Sequence, residues 1–181
     1  MMLVMFGLLL TVMFFNNRDW PHNNIRMFRS VSLNDTDNPY SDGHWRFYLH
    51  DMDRTLWSVH VEANTFERLY ERDWRSSRTG NHYFLVFNNP TFVREFVERA
   101  EYVLDNYFQV EQLLAVHGRF LAEYTPLLPD MYARFNMDGS VEASMARFDY
   151  YAVENIRRFL QNREYYYRQH LQHLLERIGL E

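Results

Sequence analysis

The chain opens with a long run of apolar residues. Residues 1–17 (MMLVMFGLLLTVMFFNN) carry no charged side chain, and a run shorter than about 20 apolar residues favours a buried helix over a membrane-spanning one. A signal peptide would need a basic start and a small-residue cleavage site, and neither is present. We therefore expect Met1–Phe15 to be a buried helix. Since it is apolar on every side, neighbouring sequence or a partner is expected to cover it.

Two short aromatic and β-branched runs follow, with a turn-rich segment between them. Ile25–Val31 (IRMFRSV) and Trp45–Leu49 (WRFYL) predict two strands. Residues 32–44 are rich in Asn, Asp, Pro and Gly, which mark turns. The pattern predicts a hairpin with a long connection. Residues 58–80 are polar and mixed, and Arg72–Gly80 is the best candidate for a mobile loop.

From Asn81 onward the apolar positions recur at helical spacing. Asn89 followed by Pro90 predicts a capped helix start, and Pro126 and Pro129 are expected to end the helix that follows. Ser140 with its neighbours 137–139 predicts a further turn and cap. The other three predicted helices span Val110–Tyr124, Val141–Leu160 and Arg163–Ile178. The predicted inward positions of the four helices are Phe92, Phe96, Val97, Val103 and Leu104; Leu113, Leu114, Val116, Phe120 and Leu121; Met145, Phe148, Ala152, Ile156 and Phe159; Tyr167, Leu171, Leu174, Leu175 and Ile178.

These elements predict an α+β fold that is mainly α, with one small hairpin and a helical body. The length of 181 residues suggests a single domain, possibly a partial one. We divide it into residues 1–57, which hold the polar loops and the hairpin, and residues 81–181, the helical body. A composition that is 47% hydrophobic and 18% aromatic can build a core.

Charge and residue usage exclude several kinds of chemistry. A net charge of −5 argues against non-specific binding to nucleic acid or anionic membranes. The absence of cysteine excludes disulfides, thiol nucleophiles and cysteine-bound zinc. All 19 basic residues are arginine, so the lysine that many phosphoryl-transfer enzymes place on the phosphates has no counterpart here. Either an arginine does that work or another part of the protein does.

Candidate chemistry lies on two polar loops, each next to an apolar element. Asp51 and Asp53 follow the second predicted strand, while Asp19 and Asn24 follow the apolar start and are five residues apart. Carboxylate and amide oxygens are the ligands that Mg²⁺ prefers. The spacing of Asp19 and Asn24 is that of the Asp-x-x-x-x-Asn catalytic loop of protein kinases. The alternative is ordinary turn chemistry, with Asx side chains bonding local backbone or solvent.

Taken in this order, the motifs resemble the CotH-type (spore coat protein H) atypical kinase family. The matching segments are residues 14–29 (FFNNRDWPHNNIRMFR), 45–57 (WRFYLHDMDRTLW) and 87–108, and the terminal helices resemble the family around Arg157 to Tyr165. The chain departs from the family at His50, where Trp is common. The family's N-terminal half, with its phosphate-covering loop, has no match.

The resemblance implies a kinase-like C-terminal lobe that uses ATP with Mg²⁺ or Mn²⁺ to phosphorylate serine in proteins. It implies that Asp19 is the catalytic-loop aspartate, that Asn24 is the amide that follows it, and that Asp51 binds metal with Asp53 as its companion. The partners implied are a Ser-rich protein substrate or an N-terminal lobe without which transfer is incomplete, and neither nucleic acid nor a transmembrane segment is expected. The residues themselves leave the compartment open, and the resemblance implies a bacterial spore coat, a cell surface or a secreted protein.

Two other functions remain open from the sequence. A phosphatase of the Asp-x-Asp-x-Thr type would use Asp51 as nucleophile and Asp53 as acid and base, with Thr55 completing the motif. That fold needs a parallel sheet, which the pattern after residue 60 does not predict. The second alternative is a kinase-like module that binds without catalysing.

Histidines and tyrosines suggest weaker alternatives. His170 and His173 lie one helical turn apart, and we interpret them as a solvated helix face rather than as a zinc site. His22 and His50 are near the acidic loops and could line a pocket. The run Tyr165–Tyr167 is interpreted as helix packing with polar tips outward, not as a stacking platform for nucleic acid.

Overall fold

The computed structural model describes residues 2–20, 23–31, 38–70, 78–135 and 138–180. This part of the chain is mostly helical with one small antiparallel sheet, which confirms the predicted α+β, mainly α class. A 3₁₀ turn covers Ser58–His60 and another covers Thr125–Leu127, while Asp149–Asn155 forms a π-helical segment. The regular elements are α1 (Met2–Phe14), β1 (Arg26–Phe28), β2 (Arg46–Tyr48), α2 (Glu67–Tyr70), α3 (Arg78–Phe87), α4 (Pro90–Asn106), α5 (Val110–Tyr124), α6 (Leu128–Phe135), α7 (Val141–Phe148) and α8 (Ile156–Arg177).

Helix α1 is buried, as its apolar sequence predicted. Leu9, Met13 and Phe14 are almost wholly enclosed, and the ring of Phe6 packs 5.2 Å from that of Phe92 on α4. A helix with no polar face gains most when protein surrounds it on every side. No helix in the described ranges is long and apolar enough to cross a membrane.

The predicted hairpin is present in shortened form. Strands β1 and β2 pair antiparallel with Met27 opposite Phe47. Residues 32–37 of the predicted connection lie outside the described residues. The hairpin places the two polar loops at its ends, one before β1 and one after β2.

The core joins α1, α2, α3, α4, α8 and the residue just before α2. Aromatic rings dominate it, and Phe66, Phe87 and Phe96 meet with centroids 5.1 to 5.9 Å apart. The start of α4 follows the prediction, because the Asn89 side chain accepts a hydrogen bond from the Phe92 N–H at 3.2 Å. The buried apolar members contributed by these parts are Phe6, Leu8, Leu9, Leu10, Val12, Met13, Phe14, Phe66, Leu69, Tyr83, Phe87, Phe92, Val93, Phe96, Val97, Ala100, Leu104, Tyr167, Leu171 and Leu174.

The polar and mixed segment 58–80, whose end Arg72–Gly80 was predicted as a mobile loop, is partly helical. Helix α2 and the first turn of α3 occupy Glu67–Tyr70 and Arg78–Gly80, while residues 71–77 lie outside the described part. Buried anchors explain both helices, since Leu69 and Phe87 are fully enclosed in the core. Tertiary packing of one or two such residues outweighs a polar local composition.

The two prolines end a helix but do not end helical structure. Helix α5 stops at Tyr124, the 3₁₀ turn holds Pro126, and α6 begins at Leu128. Pro129 therefore sits in the first turn of α6, where its missing N–H costs no hydrogen bond. The sequence prediction missed this helix.

The predicted break between Leu160 and Arg163 is wrong. Helix α8 passes through both residues without interruption, and the predicted helix Val141–Leu160 is instead divided by the π-helical segment. No glycine or proline lies between Val141 and Arg177, so the helix is not broken. The wider π-helical turn holds an extra residue, and this changes the direction in which the following side chains point. The side chain of His117 on α5 bonds the carbonyl of Ala152 in the π segment at 2.7 Å.

Candidate functional site

The first polar loop begins where α1 ends. Asn16 takes a left-handed conformation with φ of +55°, which is a common way to end a helix. The Oδ1 atom of Asn17 then accepts hydrogen bonds from the N–H groups of Asp19 (2.9 Å) and Trp20 (3.1 Å). This Asx turn fixes the backbone that presents Asp19, whose side chain remains partly exposed.

The second polar loop lies directly against the first. Backbone hydrogen bonds of 3.0 Å join Arg18 N–H to the Arg54 carbonyl and Leu56 N–H to the Phe15 carbonyl. Asp51 is left-handed, with φ of +54°, and its side chain is exposed. The two loops therefore form one polar surface, although they are more than thirty residues apart in sequence.

Asn24 links the two acidic loops. Its Nδ2 atom lies 3.4 Å from Asp19 Oδ2 and 3.5 Å from the Asp51 carbonyl oxygen, and Asn17 Nδ2 reaches the same carbonyl at 3.4 Å. Both partners of Asn24 can only accept hydrogen bonds, which fixes the amide nitrogen on their side. The amide oxygen of Asn24 is left available as a ligand. Asp19, Asn24 and the Asp51 backbone are thus neighbours.

Asp53 has a different setting from Asp51. It is exposed, sits in the turn Asp53–Arg54, and lines a cleft of about 610 Å³ whose other walls come from the C-terminal helices. The two carboxylates of the Asp-x-Asp motif therefore lie in different surroundings. Asp51 belongs to the loop that Asn17 and Asn24 contact at its backbone carbonyl, while Asp53 borders the cleft.

A buried arginine forms hydrogen bonds to the backbone close to both loops. The guanidinium of Arg163, fully buried on α8, donates to the carbonyls of Met13 (2.9 Å) and Phe14 (2.7 Å) at the end of α1. It also donates to the carbonyls of Val61 (2.6 Å) and Ala63 (3.0 Å). This one side chain therefore fixes the helix end from which the Asp19 loop starts.

Two further residues anchor the loops. Arg68 on α2 donates to the Asn17 carbonyl at 3.0 Å and to the Asn16 side chain. Asn155 in the π segment accepts from Ser58 N–H and Ser58 Oγ, both at 2.8 Å, and donates to the Leu56 carbonyl at 2.9 Å.

Sequence reasoning gave no supporting role to Arg68, Asn155 or Arg163. One signal was available for Arg163, which falls on the same helical stripe as Phe159 and Tyr167, four residues to either side. A charged residue within a buried stripe indicates a paired or hydrogen-bonded guanidinium.

The carboxylate and amide oxygens of the two loops are too few to enclose a metal ion by themselves. Within the described ranges, no group of three or more His, Asp or Glu side chains is placed to hold a metal ion. Mg²⁺ commonly binds proteins through one or two carboxylates and takes its other ligands from water and phosphate. Asp51 and Asn24 supply oxygen atoms of this kind on the two adjoining loops, and Asp53 supplies one at the border of the cleft.

Among the residues that the structure describes, the histidines form no metal site. His170 is buried, so its interpretation as part of a solvated helix face is wrong, whereas His173 is exposed as expected. Burial, with Arg163 nearby, lowers the pKa of His170 to about 4. His44 contacts the carboxylate of Asp42 at 2.9 Å, and His22 lies outside the described residues.

The residue after Asn24, Ile25, lines an apolar pocket of about 270 Å³. Ile25, Met27 and Phe47 of the hairpin region form one part of its wall, and Met5 and Tyr83 contribute from α1 and α3. Its lining is almost wholly hydrocarbon and aromatic, so it favours a flat apolar group over a charged one.

No protein-family model, curated protein or solved structure matches this chain.

Proposed function

We propose that this chain is the C-terminal lobe of a CotH-like atypical protein kinase that binds Mg²⁺ with ATP and transfers phosphate to serine in a protein substrate. The observation that carries the proposal is the position of Asn24, whose amide lies between the Asp19 carboxylate and the Asp51 loop. A kinase site needs a base, an amide ligand and a metal-binding carboxylate within one small space.

Each residue has a distinct role in this proposal. Asp19 accepts the proton of the serine hydroxyl as it attacks, and the Asx turn at Asn17 holds Asp19 in place. The Asn24 oxygen and the carboxylates of Asp51 and Asp53 would hold the divalent cation, which would neutralise charge on the phosphates. Phosphoryl transfer depends mainly on positioning and electrostatics, and the hydrogen bonds of Asn24 and Asn17 to the Asp51 carbonyl contribute that positioning.

The apolar pocket next to Asn24 supports nucleotide as the phosphate donor. A purine ring needs a flat apolar surface close to the phosphate-binding groups, and Ile25 and Met27 offer one within three residues of Asn24. The chain has no lysine to hold the phosphates. We therefore propose that a second lobe, on this polypeptide or another, supplies the remaining phosphate contacts.

The phosphatase alternative gains no support from the fold. In the described part of the chain, β2, which precedes Asp51, pairs only with β1 and does so antiparallel. A nucleophilic aspartate of that class follows a strand of a parallel sheet. A binding module without activity is the remaining competitor, and it would keep the loop geometry without transferring phosphate.

The first test is calorimetric titration of ATP into the purified chain with and without Mg²⁺. We expect ATP to bind only with metal, and we expect Asp51→Asn to weaken this binding at least about tenfold, since a charged ligand to the metal is lost. Asn24→Ala is expected to act in the same direction. Asp130→Asn, which removes an exposed carboxylate on α6, is the matched control and should bind as the wild type does.

A second measurement separates the kinase from the binding module. Asp19→Asn is expected to keep metal-dependent ATP binding but to abolish phosphate transfer to a serine peptide once the second lobe is present. Undiminished ATP binding by Asp51→Asn would refute the site assignment. A folded wild-type chain that binds no ATP would favour the inactive module.

A further inference from the structure

Asp53 also lines a cleft that the proposed ATP site does not use. The cleft of about 610 Å³ is enclosed by the loop after β2, by α6 and α7, and by the π segment. Small-molecule sites have volumes of about 300–1,000 Å³, so its size suits a ligand of that kind. The roles described above for Asp19, Asn24 and Asp51 leave the rest of this cleft without a function.

Ser144 on α7 is the first sign that the cleft binds a ligand. It lines the cleft and is only 1% exposed. Its hydroxyl has no hydrogen-bond partner among the residues that the structure describes. A serine within a helix usually turns its hydroxyl to solvent or to the carbonyl four residues earlier. A buried hydroxyl without a partner is costly, so a polar ligand atom would satisfy Ser144.

The charges of the cleft favour a cation. Its lining includes the carboxylates of Asp53 and Asp138 and one guanidinium, that of Arg147. Arg147 Nη1 lies 2.7 Å from Asp138 Oδ1, but the Arg147 side chain is 65% exposed and that of Asp138 only 23%. The carboxylate therefore lies inside and the guanidinium at the rim. An ion pair so open to water is weak, and a ligand cation can replace it.

The wall next to this pair also suits a cation. The guanidinium carbon of Arg147 is 5.8 Å from the centre of the Tyr151 ring, and the face of an aromatic ring attracts positive charge. Tyr151 comes from the π segment, and such segments are frequent at functional sites because they shift side chains out of the regular helical phase. Arg147 thus occupies the place that an external cation would take.

We propose that this cleft binds an organic cation, an ammonium or guanidinium group on an aliphatic stem. The cation bonds Asp138 in place of Arg147, lies against Tyr151, and donates an N–H to the Ser144 hydroxyl. Asp53 at the mouth adds a second carboxylate. The cleft shares Asp53 with the proposed metal site, but binding of the organic cation requires neither metal nor nucleotide.

The test is calorimetric titration of agmatine and of cadaverine into the full chain, without metal or nucleotide and at low ionic strength. Arg147→Ala is the decisive variant, because it removes the internal competitor. It is expected to bind both amines about threefold more tightly, because a factor of this size corresponds to the free energy of an exposed ion pair. Asp138→Asn should weaken binding about tenfold through loss of a charge-assisted hydrogen bond, and Ser144→Ala about threefold through loss of a neutral one.

Arg157→Ala is the matched control, since it breaks another exposed Arg–carboxylate pair, with Glu154 at 2.9 Å, outside the cleft lining. It should leave amine affinity unchanged. A third arm titrates a short peptide of alternating Ser and Lys. Tighter binding of the peptide than of free amines identifies a peptide side chain as the source of the cation, and the reverse identifies a free amine.

The proposal is overturned if neither the wild type nor Arg147→Ala binds an amine, or if Arg147→Ala weakens binding. The second result would mean that Arg147 helps to form the amine site and does not compete for it. Asp51→Asn must leave amine binding intact, because Asp51 does not line the cleft; a failure of the proposed ATP site can thus be told apart from a failure of the amine site. Circular dichroism at the titration temperature shows that each variant is folded.

Discussion

His170 is a titratable group held in an apolar place. It is 6% exposed on α8, and its Nδ1 atom has no hydrogen-bond partner within the described ranges. Burial first, and then the charges of Arg163 and His173, lower its pKa from the ordinary 6.5 to about 4. The neutral imidazole is therefore the form that the fold accepts.

The resulting pH dependence has a defined sign. Between pH 6.5 and about 4 the unfolded chain binds a proton at His170 and the folded chain does not, so the free energy of unfolding decreases as the pH falls through this range. We expect His170→Gln to remove about 2 kcal/mol of the acid-dependent loss. Urea unfolding at pH 7 and pH 4.5 measures it.

The control for this prediction is His173→Gln. His173 is exposed on the same helix, and the same substitution there should leave the difference between the two pH values as in the wild type. Equal pH dependence in His170→Gln and the wild type would show that the native state protonates His170 without cost.

Arg163 shows how one residue sets the relation between elements. Its guanidinium bonds two carbonyls at the end of α1 and two in the segment that follows the Ser58–His60 turn. The carbonyls at a helix C-terminus carry partial negative charge, which helps to accommodate a buried cation for which the structure provides no carboxylate contact among the described residues. Desolvation lowers the pKa of Arg163 to about 10, and it stays charged near neutral pH.

We expect Arg163→Met to reduce the free energy of unfolding by about 3 kcal/mol or more, because four buried or partly buried hydrogen bonds are lost at once. Arg163→Lys should recover only part of this loss, since an ammonium lacks the planar fork that reaches several acceptors. The urea midpoint of each variant measures the effect.

Arg158→Met is the matched control on the same helix. Arg158 is exposed, so its replacement is expected to change stability by no more than about 0.5 kcal/mol. A similar cost for both substitutions would mean that the buried guanidinium contributes no more than a surface one.

At the scale of whole elements, the sequence was most informative where the apolar pattern and a specific stop signal agreed. Asn89 with Pro90 marked the start of α4, and Ser140 caps α7 through the Ala143 N–H at 3.1 Å. The pattern failed at Val116 and Phe120, predicted inward but exposed in α5, with Phe120 at 55%. Periodicity shows that a helix has an apolar face and does not show what that face meets.

The molecule as a whole has a dense part and a thinly packed one. Helices α5 and α6 contain no buried residue, whereas α4 contributes six. Local opening is easiest where few apolar contacts are lost. The segment Val110–Phe135 is therefore expected to open more readily than α4.

Hydrogen exchange followed by mass spectrometry tests this contrast. We expect backbone amides of Val110–Phe135 to exchange at least about tenfold faster than those of α4, after correction for intrinsic rates. The experiment is done at two protein concentrations. Equal protection of Val110–Phe135 and α4 at both concentrations would contradict the prediction. Protection of Val110–Phe135 that rises with concentration would show that self-association covers the exposed face with Phe120 and Tyr124.

The candidate site was predictable as a set of residues and not as an arrangement. The order and spacing of Asp19, Asn24, Asp51 and Asp53 could be read from the chain, because a base and oxygen ligands on polar loops need few residue types. Their relative positions could not. The contact of Asn24 with both loops depends on left-handed conformations at Asn24 and Asp51, which residue type permits but does not dictate.

By itself, the sequence determined the buried helix α1, the hairpin, the mainly helical class and the start of α4, because each follows from local periodicity and capping. Only the tertiary structure decided that Asp53 borders a separate cleft, that His170 is buried, and that α8 runs unbroken through Arg163. These three features depend on which distant residues come together in space. Met13 and Ala63, which accept hydrogen bonds from Arg163, are at least 100 residues from it in the chain, and no local pattern records such a contact.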